Sequence, residues 1–272
     1  MKKLFYFVAL AMTLCSCAAD SQKKQQSIDK PWNISIYLDL SDRLIKGKGE
    51  PQMLRDTAII SNIIQLYVDN VVRHKIVPCD DKFQIFFYPT DGIQNASTAS
   101  NALKVDLEQY KQTPAKKKEV LLSMKRDIMQ TVTPIYETTL NNKRWPGSDI
   151  WGFFKNKIKI SCVREGYRNV LIVLTDGYIY HANSKVAQGN EYSYILPSNI
   201  MNPDMKLIKC NDGLEDLEVL FLEVNPSQFS HADKMQHVIG TWLEEMGVQH
   251  YDVVETDVTA NIAPAIANFF KK

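Results

Sequence analysis

The sequence predicts an α/β domain, doubly wound, in which a mostly parallel central sheet is flanked by helices in three layers. Three observations carry this expectation. Short apolar, β-rich runs alternate with amphipathic helical stretches from about residue 33 onward. The run Arg-Asn-Val-Leu-Ile-Val-Leu at 168–174 shows no polar/apolar alternation, as expected of a strand covered on both faces. Polar clusters close several of the apolar runs, and in open α/β sheets the carboxyl ends of strands are where ligands collect.

The elements follow in order. Residues 33–40 (Asn-Ile-Ser-Ile-Tyr-Leu-Asp-Leu) read as a first strand running into a polar turn. After Gly47, Gly49 and Pro51, residues 52–74 carry Leu54, Ala58, Ile59, Ile63, Leu66 and Val71 near helical spacing. Residues 82–88 are a second strand, and 91–101, rich in Gly, Asn, Ser and Thr, a loop. A helix is expected at 116–139. Its three adjacent lysines, Lys116, Lys117 and Lys118, read as a solvated face. Trp145-Pro146-Gly147 interrupts the pattern, and Ser148 or Asp149 then caps a shorter helix to about 164. The strand at 168–174 ends in Thr175-Asp176-Gly177. Residues 178–214 have weak periodicity, and a connection that long is usually functional or carries small elements of its own. A strand at 217–224, a helix at 232–246 with Trp242 in its core face, a strand at 250–255 and a helix at 259–270 complete the pattern.

The start of the chain is of another kind. Lys2 and Lys3 precede an apolar run too short to span a bilayer, the basic and apolar regions of a secretory signal. That run ends in Leu14-Cys15-Ser16-Cys17, which resembles the bacterial lipoprotein box. The resemblance implies cleavage before Cys17 and lipidation of that cysteine; the alternative is an ordinary signal peptide cut nearby. The expected organisation is a signal at 1–16, a lipidated Cys17 and polar tether to 32, and one domain at 33–272. The expected location is the bacterial cell envelope, facing away from the cytoplasm, on the outer membrane where there are two membranes.

Composition narrows the function classes. Apolar residues make up 45% of the 272 and charged residues 23%, which suits a globular chain with a sizeable core. The formal charge of +1 becomes −1 once Lys2 and Lys3 leave with the signal, so no sequence-wide field gathers nucleic acid. Of five cysteines, Cys79, Cys162 and Cys210 remain after Cys15 and Cys17 are set aside. They permit at most one disulfide, and their spacing matches no zinc motif. The five histidines (His74, His181, His231, His237, His250) lack zinc-hydrolase spacing, and neither a Gly-x-Ser-x-Gly elbow nor a P-loop occurs.

Three polar segments stand where ligands would collect: Asp39-Leu40-Ser41-Asp42-Arg43, Gly147-Ser148-Asp149, and Thr175-Asp176-Gly177. At these residues the chain resembles a von Willebrand factor type A domain, over about residues 33–271. That family's metal-ion-dependent adhesion site takes Asp-x-Ser-x-Ser after the first strand, a Thr from a mid-domain loop, and an Asp from a Thr-Asp-Gly-like segment. The resemblance therefore implies a Mg²⁺ site, or one for Mn²⁺ or Ca²⁺, on Asp39, Ser41, Ser148 and Asp176, with Asp42, Arg43, Asp149 and Thr175 modulating it. Hydroxyls and carboxylates suit a hard cation with one position open to a partner's carboxylate.

One position departs from the pattern. Arg43 stands at the second Ser, and a guanidinium has no acceptor with which to ligate a cation. Pointing inward it would repel a metal and pair with Asp39 or Asp176; pointing outward it would leave a hydroxyl for water to replace. Tyr178, Tyr180 and His181 follow the last segment, either on the site's rim or packed against the long loop. The leading expectation is a membrane-anchored binding protein for a protein or peptide partner, not an enzyme. The alternatives are a metal-assisted hydrolase using Asp39, Asp176 and His181, and a metal-free structural component of an envelope complex.

Overall fold

A computed structural model describes residues 30–46, 50–74, 76–90, 93, 95–142, 147–255 and 259–271. The signal, Cys17, most of the tether, Gly47, Gly49, Trp145 and Pro146 lie outside the described residues.

The chain begins with β1 (Trp32–Leu38), a single turn α1 (Arg43–Lys46) and the long α2 (Gln52–Arg73). Next come β2 (Lys82–Phe86), α3 (Ala96–Ala102), β3 (Lys104–Asp106) and α4 (Pro114–Asn141). Helices α5 (Ile150–Asn156) and α6 (Ile158–Cys162) lead into β4 (Arg168–Leu174). Three short strands follow, β5 (Ala187–Gln188), β6 (Glu191–Tyr192) and β7 (Lys206–Leu207). The chain then forms β8 (Leu217–Leu222), α7 (Ala232–Glu245), β9 (His250–Val254) and α8 (Thr259–Lys271).

Six strands make one sheet in the order β3-β2-β1-β4-β8-β9, parallel except for the antiparallel edge strand β3. The protein is thus mixed α/β, with a mostly parallel sheet flanked by helices. The sheet divides two apolar cores. Ile34, Ile36 and Leu38 of β1 face a core shared with α2, α4 and α8, whereas Tyr37 faces one shared with α5, α6 and α7. Because side chains alternate across a strand, β1 serves both cores at once, which is why its seven residues are all buried. Chain order reverses between β1 and β4, so their carboxyl ends flank a switch-point crevice, closed at its base by Asp39 N–H donating to the Leu174 carbonyl at 3.1 Å.

Three sequence expectations need correction. The loop at 91–101 holds most of α3, whose seven residues bury nothing and so lack a periodic signal. The helix expected from 148 to 164 is broken at Lys157 into α5 and α6. Lys117 is not on a solvated face. It is fully buried and its ammonium donates to the carbonyls of Val77 and Cys79, tying α4 to the turn before β2. The three cysteines stay within the limit of at most one disulfide: Cys79, Cys162 and Cys210 are free, the first two are buried, and burial pushes all three thiols up to about 12.

The long connection at 178–214 is a packed element. Strands β5, β6 and β7 form a small sheet of their own, with Ile195, Ile200, Met205 and Leu207 buried against α5 and α7. The indoles of Trp151 and Trp242 both donate to the Ile208 carbonyl, at 2.9 and 3.1 Å, pinning the connection from two helices.

Candidate functional site

Polar residues converge where β1, β4 and β8 end. Asp39, the residue after the last of β1, is 1% exposed. Its Oδ1 accepts the Ser41 backbone N–H at 2.9 Å, and its Oδ2 accepts the Thr175 hydroxyl at 2.7 Å. This Asx turn directs the chain into α1 and brings Arg43 back over the strand end.

Arg43 points inward and is buried. Its Nε donates to the Asp39 carbonyl at 2.8 Å and lies 3.8 Å from Asp39 Oδ2. One terminal nitrogen donates to Asp56 Oδ2 at 2.6 Å, and the other lies 3.5 Å from Glu223 Oε2. Burial opposes the charge, but Asp56, Asp39 and Glu223 outweigh it and hold the guanidinium protonated more firmly than usual.

The surrounding carboxyls have further partners. Asp56, fully buried on α2, accepts Gln52 Nε2 at 2.9 Å and the Tyr136 hydroxyl at 2.5 Å. Glu223 follows β8 with a left-handed backbone (φ +64°), a costly conformation for a residue with a side chain. It accepts Arg55 Nε at 2.7 Å as well as Gln52 Nε2. Burial, reinforced by neighbouring Asp56, pushes the Glu223 carboxyl up to about 7. Asp176 lies nearer the surface and accepts the Tyr178 backbone N–H at 3.0 Å. Burial and the field of Asp39 raise its carboxyl to about 7 as well.

The structure therefore brings Asp39, Ser41, Arg43, Thr175 and Asp176 into one neighbourhood, with Asp42 exposed at its margin. Ser148 and Asp149 are engaged around Tyr37, whose hydroxyl lies in the field of both Asp39 and Asp149. The Ser148 hydroxyl pairs with the Tyr37 hydroxyl at 2.9 Å, and Tyr37 in turn donates to the Tyr88 carbonyl at 2.8 Å. Asp149 caps α5 through the Gly152 N–H at 2.8 Å; its second oxygen takes the Ser184 hydroxyl and lies 3.7 Å from His181 Nδ1. Among the described residues, no group of three or more His, Cys, Asp or Glu side chains is arranged to hold a metal ion.

Sequence reasoning missed Asp56, Glu223, Gln52, Arg55 and Tyr136. Two had a signal. Asp56 falls in the buried phase of α2, three and four residues before Ile59 and Ile60, and Glu223 closes an apolar strand just as Asp39 does. Tyr180 belongs to the long connection: its ring meets Tyr194, with the Lys185 ammonium over both. Tyr178 instead reaches the segment before α7, where its hydroxyl pairs with His231 Nδ1 at 2.9 Å.

No protein-family model matches the chain, and no curated protein is similar to it in sequence. Among solved structures, it is similar to the pilus adhesin SpaC from Lactobacillus rhamnosus GG, in an open conformation and in a second form. Each has a TM-score of 0.44 at 10% identity, with 89% and 91% of this chain covered. The chain spans 30% of the length of that adhesin.

Proposed function

We propose that this is a lipid-anchored, extracytoplasmic binding module of von Willebrand factor A-like, Rossmann-like architecture. It meets a protein or peptide partner with the carboxyl end of its sheet and is not an enzyme. The observation that carries this reading is the character of that end, where segments beside a buried polar network expose apolar side chains. Phe229, on the loop after β8, is 86% exposed, and Ile45, in α1, is 64% exposed. A large apolar side chain that a partner covers can anchor an interface. The doubly wound strand order and its switch point support the family resemblance at the level of architecture.

Arg43 changes what the partner offers. Among the described residues, the contacts of its guanidinium are internal, so in this reading a partner's acidic side chain is not received there, and recognition rests on the apolar rim with Asp176 and Asp42 beside it.

Site-specific photo-crosslinking in the native envelope tests the proposal. A photoreactive residue at Phe229 or Ile45 is expected to give one discrete protein adduct, and one at Val72, toward the amino end of the strands, none. Adducts of equal yield at both ends, or none at either, would overturn it. Membrane attachment has its own test: Cys17→Ala is expected to move the protein from the membrane to the soluble fraction, and retention on the membrane would remove the lipid anchor.

A further inference from the structure

We infer that Arg43 is the permanent cation of the strand-end site: its guanidinium occupies a cage built by Asp39, Asp56 and Glu223, and the wild-type chain therefore takes no divalent metal there. This concerns the inside of the site and holds whether or not the rim above it binds a partner.

The donor set argues against a hard divalent ion. Mg²⁺ requires about six oxygens near 2.1 Å in octahedral array. Both carboxylate oxygens of Asp39 already accept hydrogen bonds, from the Ser41 N–H and the Thr175 hydroxyl. The Ser148 hydroxyl donates to Tyr37, whose own proton goes to the Tyr88 carbonyl, so it offers a metal only its oxygen lone pairs. A guanidinium nitrogen lies 3.8 Å from Asp39 Oδ2, and in so dry a setting a second cation on that carboxylate would face a like charge with little screening.

The same atoms suit a guanidinium. Its planar fork reaches three acceptors in different directions, namely the Asp39 carbonyl, Asp56 and Glu223. The side chains of Arg43, Asp39, Asp56 and Glu223 are 3%, 1%, 0% and 2% exposed, so solvent ions do not share the cage. Neutral donors occupy other lone pairs: Tyr136 and Gln52 on Asp56, Thr175 on Asp39. Arg55, the second cation, meets Glu223 from the opposite side at 2.7 Å. The cage is thus complete with the chain's own groups.

Removing the guanidinium leaves three buried carboxyls facing a space that held a positive charge. Such a cage must be protonated or take a cation from solution. Arg43→Ser also restores the hydroxyl that the family pattern has at this position.

The test uses the mature full-length chain with Mn²⁺ alone, followed by equilibrium dialysis and by the thermal midpoint. The wild type is expected to hold no Mn²⁺ that depends on Asp39 and to show no shift in midpoint. Arg43→Ser is expected to gain one Mn²⁺ per chain and a rise of about 5 °C at a hundredfold excess over Kd. Adding Asp56→Asn is expected to abolish that gain. One Mn²⁺ per wild-type chain, lost on Asp39→Asn, would overturn the inference, as would a folded Arg43→Ser protein indifferent to the ion. If Arg43→Ser does not fold, the wild-type dialysis decides together with Arg43→Lys. The lysine variant keeps a cation in the cage and is expected to stay metal-silent; Mn²⁺ uptake by it would overturn the inference.

Discussion

Two arginine–carboxylate centres sit at opposite ends of the same sheet and solve the same electrostatic problem differently. Arg43, at the carboxyl ends, is buried among Asp39, Asp56 and Glu223, with each polar atom facing another. Arg168, at the amino end of β4, forms a bidentate pair with Glu218, at 2.8 Å through both contacts, and lies against the rings of Trp32 and Phe270. Its side chain remains 22% exposed and lines a cavity of about 730 Å³. That cavity is thus at the end of the sheet away from the switch-point crevice, where Arg43 and its carboxylates are packed together. Burial is the quantity that separates them: the closed centre depends on every partner, whereas solvent can stand in for a missing one at the open centre.

Substitutions should reveal that difference in order of size. Arg43→Ala is expected to cost about 3–5 kcal/mol in urea denaturation at neutral pH, because it strands buried carboxyls. A loss under 1 kcal/mol would mean that water enters the cage freely. Gly177→Ala comes next, at about 2–4 kcal/mol. Its backbone is left-handed (φ +90°), and a Cβ there would stand 2.1 Å from Met235 Sδ and 2.8 Å from Val224 Cγ1. A third effect depends on pH. Glu223 and Asp176 rise from ordinary values of 4.5 and 3.8 to about 7, so the folded chain holds protons there that the unfolded chain has released. The stability they contribute is full below about pH 4 and is lost as pH climbs through 7. Replacing both by the amides, Glu223→Gln with Asp176→Asn, should flatten the decline of unfolding free energy between pH 4 and 7, and an unchanged slope would place the titration elsewhere. The smallest effect is expected at the open end, where Glu218→Gln should cost about 1 kcal/mol or less despite its contacts with Arg168 and His250. A cost matching that of Arg43→Ala would erase the contrast.

What the sequence revealed follows the strength of each local pattern. β4 was legible to the residue because seven consecutive residues without alternation admit few readings, and α2 to within one residue because its apolar face repeats over 22 residues. By contrast, α3 buries nothing and β5, β6 and β7 have two residues each, too short for any periodicity to show. At the site, Asp39, Thr175 and Asp176 announced themselves as polar residues ending apolar runs. The direction of Arg43 did not, because it is decided by Asp56 from α2 and Glu223 from β8, neighbours that exist only once the sheet has formed.

The pairing of β1 has a further consequence, for the time course of folding. In the centre of the sheet β1 lies between β2 and β4, and its contact with β4, such as Asn33 to Asn169, closes a separation of 136 residues. Closing so long a loop is entropically late, and topologies dominated by such contacts fold slowly. The β1–β2 pair with α2 between them can assemble first, while the opposite edge of β1 waits, unpaired, for the strand that will cover it.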